Sequence, residues 1–109
     1  MSWDISVTHA RDHESWRQGD DVWDRNVTYN NSRILEKALG CHFRDLDGQE
    51  AGVVLDRLTP AIRHILRHRA DYADLEPPNG WGGIVDVLDV LRQLRNVCEE
   101  YPDLRVMVV

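Results

Sequence analysis

Ile84-Val85-Asp86-Val87-Leu88-Asp89-Val90-Leu91-Arg92-Gln93-Leu94-Arg95-Asn96-Val97-Cys98-Glu99-Glu100-Tyr101-Pro102, followed after Asp103 by Leu104-Arg105-Val106-Met107-Val108-Val109, decides the fold. Ile84, Val87, Leu88, Leu91, Leu94, Cys98 and Tyr101 recur at helical spacing, with Val85, Val90 and Val97 beside them. A stripe this wide predicts a helix from about 83 to 100 packed on more than one side. Pro102 stops it, because a proline ring clashes with a continuing helix and supplies no N–H. The run 104–109 is dense in β-branched residues and predicts a strand.

That last strand needs a partner. At the other end of the chain Ile5 and Val7, and with them His9, alternate with Ser6 and Thr8, the period-2 signature of a half-buried strand. The two chain ends are therefore expected to pair. Residues 10–22 are polar and charged and read as a loop or hairpin arm. Val22, Trp23, Val27, Thr28 and Tyr29 predict a second short strand. Asn31 or Ser32 caps a short helix carrying Ile34, Leu35, Ala38 and Leu39, which Gly40 ends.

Cys41 to Leu46 reads as a connector, and Asp47-Gly48 opens a helical segment reaching Leu58. Thr59-Pro60 has the form of a fresh helix start, Thr as cap and Pro at the first position. The helix from Pro60 to about Ala73 is expected to bury Ala61, Ile62, Ile65, Leu66 and Tyr72. The expected architecture is a single α+β domain over 1–109, a small sheet from the chain termini packed against three to four helices.

Composition narrows the function classes. Of 109 residues, 42% are hydrophobic and 29% charged, as in ordinary globular domains. A net charge of -6 opposes non-specific binding of a DNA or RNA duplex, which needs a cationic footprint. It suits a basic protein partner and leaves a local site for a small anion open. Cys41 and Cys98 lie in no metal-ligand spacing and read as free thiols. No apolar run approaches the ~20 residues of a membrane helix. The start Met1-Ser2-Trp3-Asp4 has no signal-peptide pattern, so a cytoplasmic location is expected, in the host cell for a phage-encoded chain.

Two segments invest in amides and an aromatic ring just before a helix: Asn26-Val27-Thr28-Tyr29-Asn30-Asn31, and Pro77-Pro78-Asn79-Gly80-Trp81-Gly82-Gly83. Asn and Thr side chains brace turns, and they equally offer paired donors and acceptors to a nucleobase or amide. Glycines at a helix start leave N–H groups open to an anion, and Trp81 beside them either stacks on a base or docks into the core. His64 and His68 stand four apart on one face, as do Arg63 and Arg67. The histidine spacing suits a metal, but Ile65 stands where a zincin has its Glu and no third ligand is evident, so no metal and no cofactor are expected. The acids Asp12, Glu14, Asp20, Asp21 and Asp24 are interleaved with Trp3, Trp16 and Trp23. This is either a solvated loop with anchoring rings or a surface that grips an Arg/Lys-rich partner. No nucleophile–base–acid order is visible, and no enzymatic activity is expected.

With both segments in view, the chain resembles a group of small uncharacterised bacteriophage and prophage proteins. The resemblance runs over about residues 20–109. It is carried by Asn26-Val27-Thr28-Tyr29-Asn30, by Pro77 to Gly82, by Cys98 and Pro102, and by the final strand. Gly83-Ile84 departs from the polar-aromatic pair that often follows the loop in that group. The resemblance implies a shared fold and site, and, by analogy with small phage accessory proteins, a role in countering host defence by sequestering a nucleotide signal. The leading expectation is a non-enzymatic module with one pocket for a small polar, nucleotide-like ligand. Asn26, Thr28, Tyr29, Asn30, Asn79, Gly80 and Trp81 would form it, with Arg63 or Arg67 meeting a phosphate. The alternative is an acidic inhibitor or immunity-type protein that binds a basic protein partner. Self-association stays open.

Overall fold

The computed structural model describes residues 1–109 and shows an α+β fold: four helices and a three-stranded antiparallel sheet. The strands are β1 (Ser2–Thr8), β2 (Asp21–Thr28) and β3 (Arg105–Val108), in the order β2-β1-β3. The helices are α1 (Ser32–Leu39), α2 (Ala51–Arg67), the single turn α3 (Arg69–Tyr72) and α4 (Ile84–Glu100). The chain ends pair as the alternation requires: Ile5 opposes Val108 and Val7 opposes Val106. Beyond β3, Asp4 and Val109 exchange both backbone hydrogen bonds, at 2.8 and 2.9 Å.

Residues directly opposite in an antiparallel pair share a face. Trp3, Ile5, Val7, Val27, Val106 and Val108 therefore form one buried surface, against which the helices pack. α4 contributes Ile84, Val87, Leu88, Val90, Leu91, Leu94 and Cys98 to the core, and α2 contributes Val54, Leu58, Ala61, Ile62 and Ile65. Each such fully buried aliphatic side chain contributes about 1.5–3 kcal/mol of transfer free energy. No helix is long and apolar enough to cross a membrane.

The opposite face of the sheet carries Asp4, Ser6 and Thr8, facing Asn26, Asp24 and Asp21 on one side and Met107 and Arg105 on the other. The alternation predicts a solvated face here, yet Ser6, Thr8 and Met107 are buried. Residues 9–20 fold back over this face as a strap. His9 N donates to Asp20 O (3.0 Å), His13 Nε2 meets Asp47 (2.8 Å), and Trp16 Nε1 donates to Asp21 Oδ1 (2.7 Å). The edge of β3 is closed by Asp47, whose Oδ1 accepts from Val108 N, and by backbone bonds linking Gly48 and Gln49 to Val106.

Four expectations are corrected. Thr59-Pro60 does not start a helix: α2 runs unbroken from Ala51 to Arg67 with Pro60 inside it. Proline's missing N–H deprives the Asp56 carbonyl of its partner, but Asp56 and Pro60 both lie on the exposed side, where water can replace the bond. The segment does not open at Asp47-Gly48 either, since residues 47–49 are spent on closing the β3 edge. Leu66 is exposed, because it points away from the side of α2 marked by Ile62 and Ile65. The Cys41–Leu46 connector is a core element instead: a 3-10 turn at Phe43–Leu46 buries both of its apolar ends.

Candidate functional site

The two asparagine segments do meet, and they meet through Asn31. β2 ends at Thr28 and passes through a 3-10 turn, Tyr29–Asn31, into α1. This places the Asn31 side chain, fully buried, against the start of α4. Its Oδ1 accepts from Gly83 N at 2.8 Å and its Nδ2 donates to Asp86 Oδ2 at 2.7 Å. The other oxygen of Asp86 accepts from Arg25 Nη2 at 2.9 Å, while Arg25 Nη1 reaches Asp89 Oδ2 at 2.7 Å. Gly82 and Gly83 adopt φ of 87° and 114° in this junction. A Cβ on Gly82 would collide with Asn31 Oδ1, and one on Gly83 with the Glu76 carboxylate. These glycines are there to let backbone and side chains close in.

The amides expected to receive an anion are occupied from within: Gly83 N by Asn31, and Ile84 N by Glu76 Oε1 at 3.1 Å. A carboxylate at the N-terminus of α4 already satisfies its positive pole. The remaining residues of the expected pocket are dispersed. Asn26 Nδ2 donates to Ser2 Oγ (2.7 Å), Trp3 O and Asp4 Oδ1 (2.9 Å), across the outer sheet face. Thr28 Oγ1 accepts from Asn30 N, capping the turn. Tyr29 sets its ring against Trp3, centroids 4.5 Å apart. Asn79 Oδ1 folds onto Trp81 N at 3.0 Å, with Gly80 between them in the loop. Trp81 is 71% exposed, neither docked in the core nor walled by either segment.

Arg63 and Arg67 line a shallow depression on α2 with Pro60, His64 and His68, which no residue of either asparagine segment shares. His64 Nδ1 lies 2.6 Å from Tyr72 Oη, and the His64 and His68 rings stand 4.5 Å apart. No group of three or more His, Cys, Asp or Glu side chains comes together in a geometry that could hold a metal. Burial raises the Tyr72 phenol, with Asp71 adding to it, and pushes the Cys98 thiol up to about 12.

The acidic segment organises differently from its sequence pattern. Trp3 is in the core and Trp23 packs against it, so only Trp16 sits among the carboxylates. Between the strap and the outer sheet face lies a cavity of about 160 Å³. Asp4, Ser6, Trp16, Gln18, Asp21 and Asp24 line it. Asp4 accepts from Asn26 and Asp21 from Trp16, but none of Asp4, Asp21 and Asp24 forms an ion pair within the chain. Asp12, at the start of the strap, is a separate case. The backbone N–H of Ser15 holds its carboxyl below the usual range, so it serves the strap's own turn.

Sequence reasoning grouped Asp21, Asp24 and Trp16 but missed Asp4 and Ser6. The available signal was the β1 alternation, which puts both on the face opposite Ile5 and Val7. No known family profile matches the chain, and no curated protein and no solved structure matches it. The resemblance to phage proteins rests on the quoted motifs alone.

Proposed function

We propose that the protein is a binding module that engages a basic protein partner through the outer face of its sheet. The observation that carries this reading is the set of three carboxylates, Asp4, Asp21 and Asp24, arranged around a half-buried indole and matched by no cation of the chain itself. Carboxylates left without a cation on a surface that also offers an aromatic ring favour an Arg- or Lys-bearing partner. Electrostatic complementarity then supplies a fast, salt-dependent encounter. In a phage-type accessory protein the same chemistry would inhibit a host protein.

The other reading, sequestration of a small nucleotide-like ligand at the asparagine junction, requires donors and acceptors free to read it. There Asn31 already bonds Gly83 and Asp86, and Glu76 bonds Ile84 N. Calorimetric titration against a hexa-arginine and a hexa-glutamate peptide, at low and high salt, tests the proposal. Binding of the cationic peptide alone, weakening steeply with salt, is expected. Absence of binding at low salt would refute it.

A further inference from the structure

The cavity under the strap contains a group that nothing in the chain uses. Ser6 is 2% exposed, lines the cavity, and its Oγ has no hydrogen-bond partner. Burying a hydroxyl without a hydrogen-bond partner destabilises the fold, because the group has lost water and gained nothing. Its neighbours across the sheet do not repair this: Asp24, directly opposite and also lining the cavity, makes no hydrogen bond to it, and Met107 on the other strand is apolar. Asp24 itself makes no hydrogen bond through its side chain and no ion pair. The one cation lining the cavity, Arg25, has both terminal nitrogens committed to Asp86 and Asp89. The space therefore presents unfilled acceptors and uncompensated negative charge beside the Trp16 ring. The indole N–H is turned to Asp21, which fixes the ring in place.

We propose that this cavity receives one arginine side chain of the basic partner, with its guanidinium between the Trp16 ring and the Asp24 and Asp4 carboxylates and donating to Ser6 Oγ. This rests on the reading of the outer face as a site for a basic partner and adds the anchor within it. Arginine is favoured over lysine on chemical grounds. A planar guanidinium stacks on an indole and spreads five donors in a fork, enough to reach carboxylates and a recessed hydroxyl together. An ammonium is a compact, strongly hydrated charge with three donors and gains less from the ring face.

The test is backbone and indole amide NMR of the whole chain during titration with hexa-arginine and hexa-lysine peptides and, separately, acetyl-arginine amide. Hexa-arginine should shift Ser6, Gln18, Asp24 and the Trp16 indole N–H first and most, and acetyl-arginine amide should shift the same set more weakly. Hexa-lysine should bind about tenfold less tightly. Asp24→Asn should weaken hexa-arginine binding by about tenfold. Ser6→Ala should weaken it too while leaving the melting temperature unchanged or raised, a combination that a purely structural serine would not give.

Salt-dependent binding with shifts spread over the acidic surface, or indifferent to Asp24→Asn and Ser6→Ala, would overturn the anchor and leave the basic-partner reading standing. Equal binding of hexa-lysine would overturn the preference for arginine. Calcium chloride alone shifting the same resonances and blocking the peptide would reassign the cavity to a metal ion. No binding of either peptide at low salt would remove both proposals.

Discussion

Asn31 and Asn26 belong to one sequence motif and have opposite energetic weight. Asn31 is fully buried and uses both ends of its amide, so Asn31→Ala leaves Gly83 N and an Asp86 oxygen unpaired. A loss of about 2–4 kcal/mol is expected in urea denaturation. Gly82→Ala should be of similar severity, since the left-handed backbone and the Asn31 oxygen both oppose a Cβ. Asn26→Ala and Trp81→Ala, both on exposed side chains, should each cost less than about 1 kcal/mol. The reverse ranking would place the structural weight of the motifs elsewhere.

Cys98 gives a second residue-scale prediction. Its folded thiol is pushed up to about 12, above the ordinary 9.0, because burial disfavours the thiolate. The folded state then holds a proton that the unfolded state releases. The Cys98 contribution to stability is therefore intact below about pH 9 and is lost as pH rises towards about 12. Cys98→Ala should flatten the alkaline limb of the stability–pH curve, and in native protein a thiol reagent should modify Cys41 well before Cys98.

Among the elements, α2 contains the most informative exception. Pro60 sits ten residues into a 17-residue helix, on its exposed side. An interior proline costs a helix ~3 kcal/mol relative to alanine, part of which it returns by restricting the unfolded chain by about 0.4–1 kcal/mol. Pro60→Ala restores a donor to the Asp56 carbonyl and should stabilise the protein by about 2 kcal/mol in the same denaturation assay. Destabilisation would mean that the ring makes a packing contact that outweighs the missing bond. The strap shows the converse case, an irregular segment made definite by three anchors. His9 and Asp20 close its base, and Asp21 and Asp47 hold it from outside, while it buries little of its own surface.

For the whole molecule, stability hinges on joining the chain ends. β1 is the central strand, and β3 supplies Val106 and Val108 to the core while covering its second edge. Removing Val106–Val109 should abolish cooperative unfolding, checked by circular dichroism melting, because it empties the core and bares a row of β1 backbone groups at once. A truncated chain that still melts cooperatively would show that β1, β2 and the helices suffice. Function at this scale is a matter of sidedness. One sheet face is committed to the helices, and the other, under the strap, carries the charge that the chain does not neutralise.

What could be read from the sequence was whatever has a short period. The stripe of α4 repeats every three to four residues and the alternation of β1 every two, so each reports its own buried face without knowledge of the neighbours. The α+β class and the pairing of the chain ends followed from those periods. The asparagine segments were visible as compositional anomalies, but their meaning was not. Asn31 bonds to Gly83 and Asp86, 52 and 55 residues away, and such contacts leave no trace in local spacing. Pro60 carried the signature of a helix start, yet packing of Leu58, Ala61 and Ile62 on one continuous face overrode it. Ser6 and Asp4 became parts of a cavity only because a strap of unpatterned residues folds over them. Tertiary structure alone decided which amides were already bonded and which acceptors were left free, because hydrogen-bond satisfaction depends on who arrives from elsewhere in the chain.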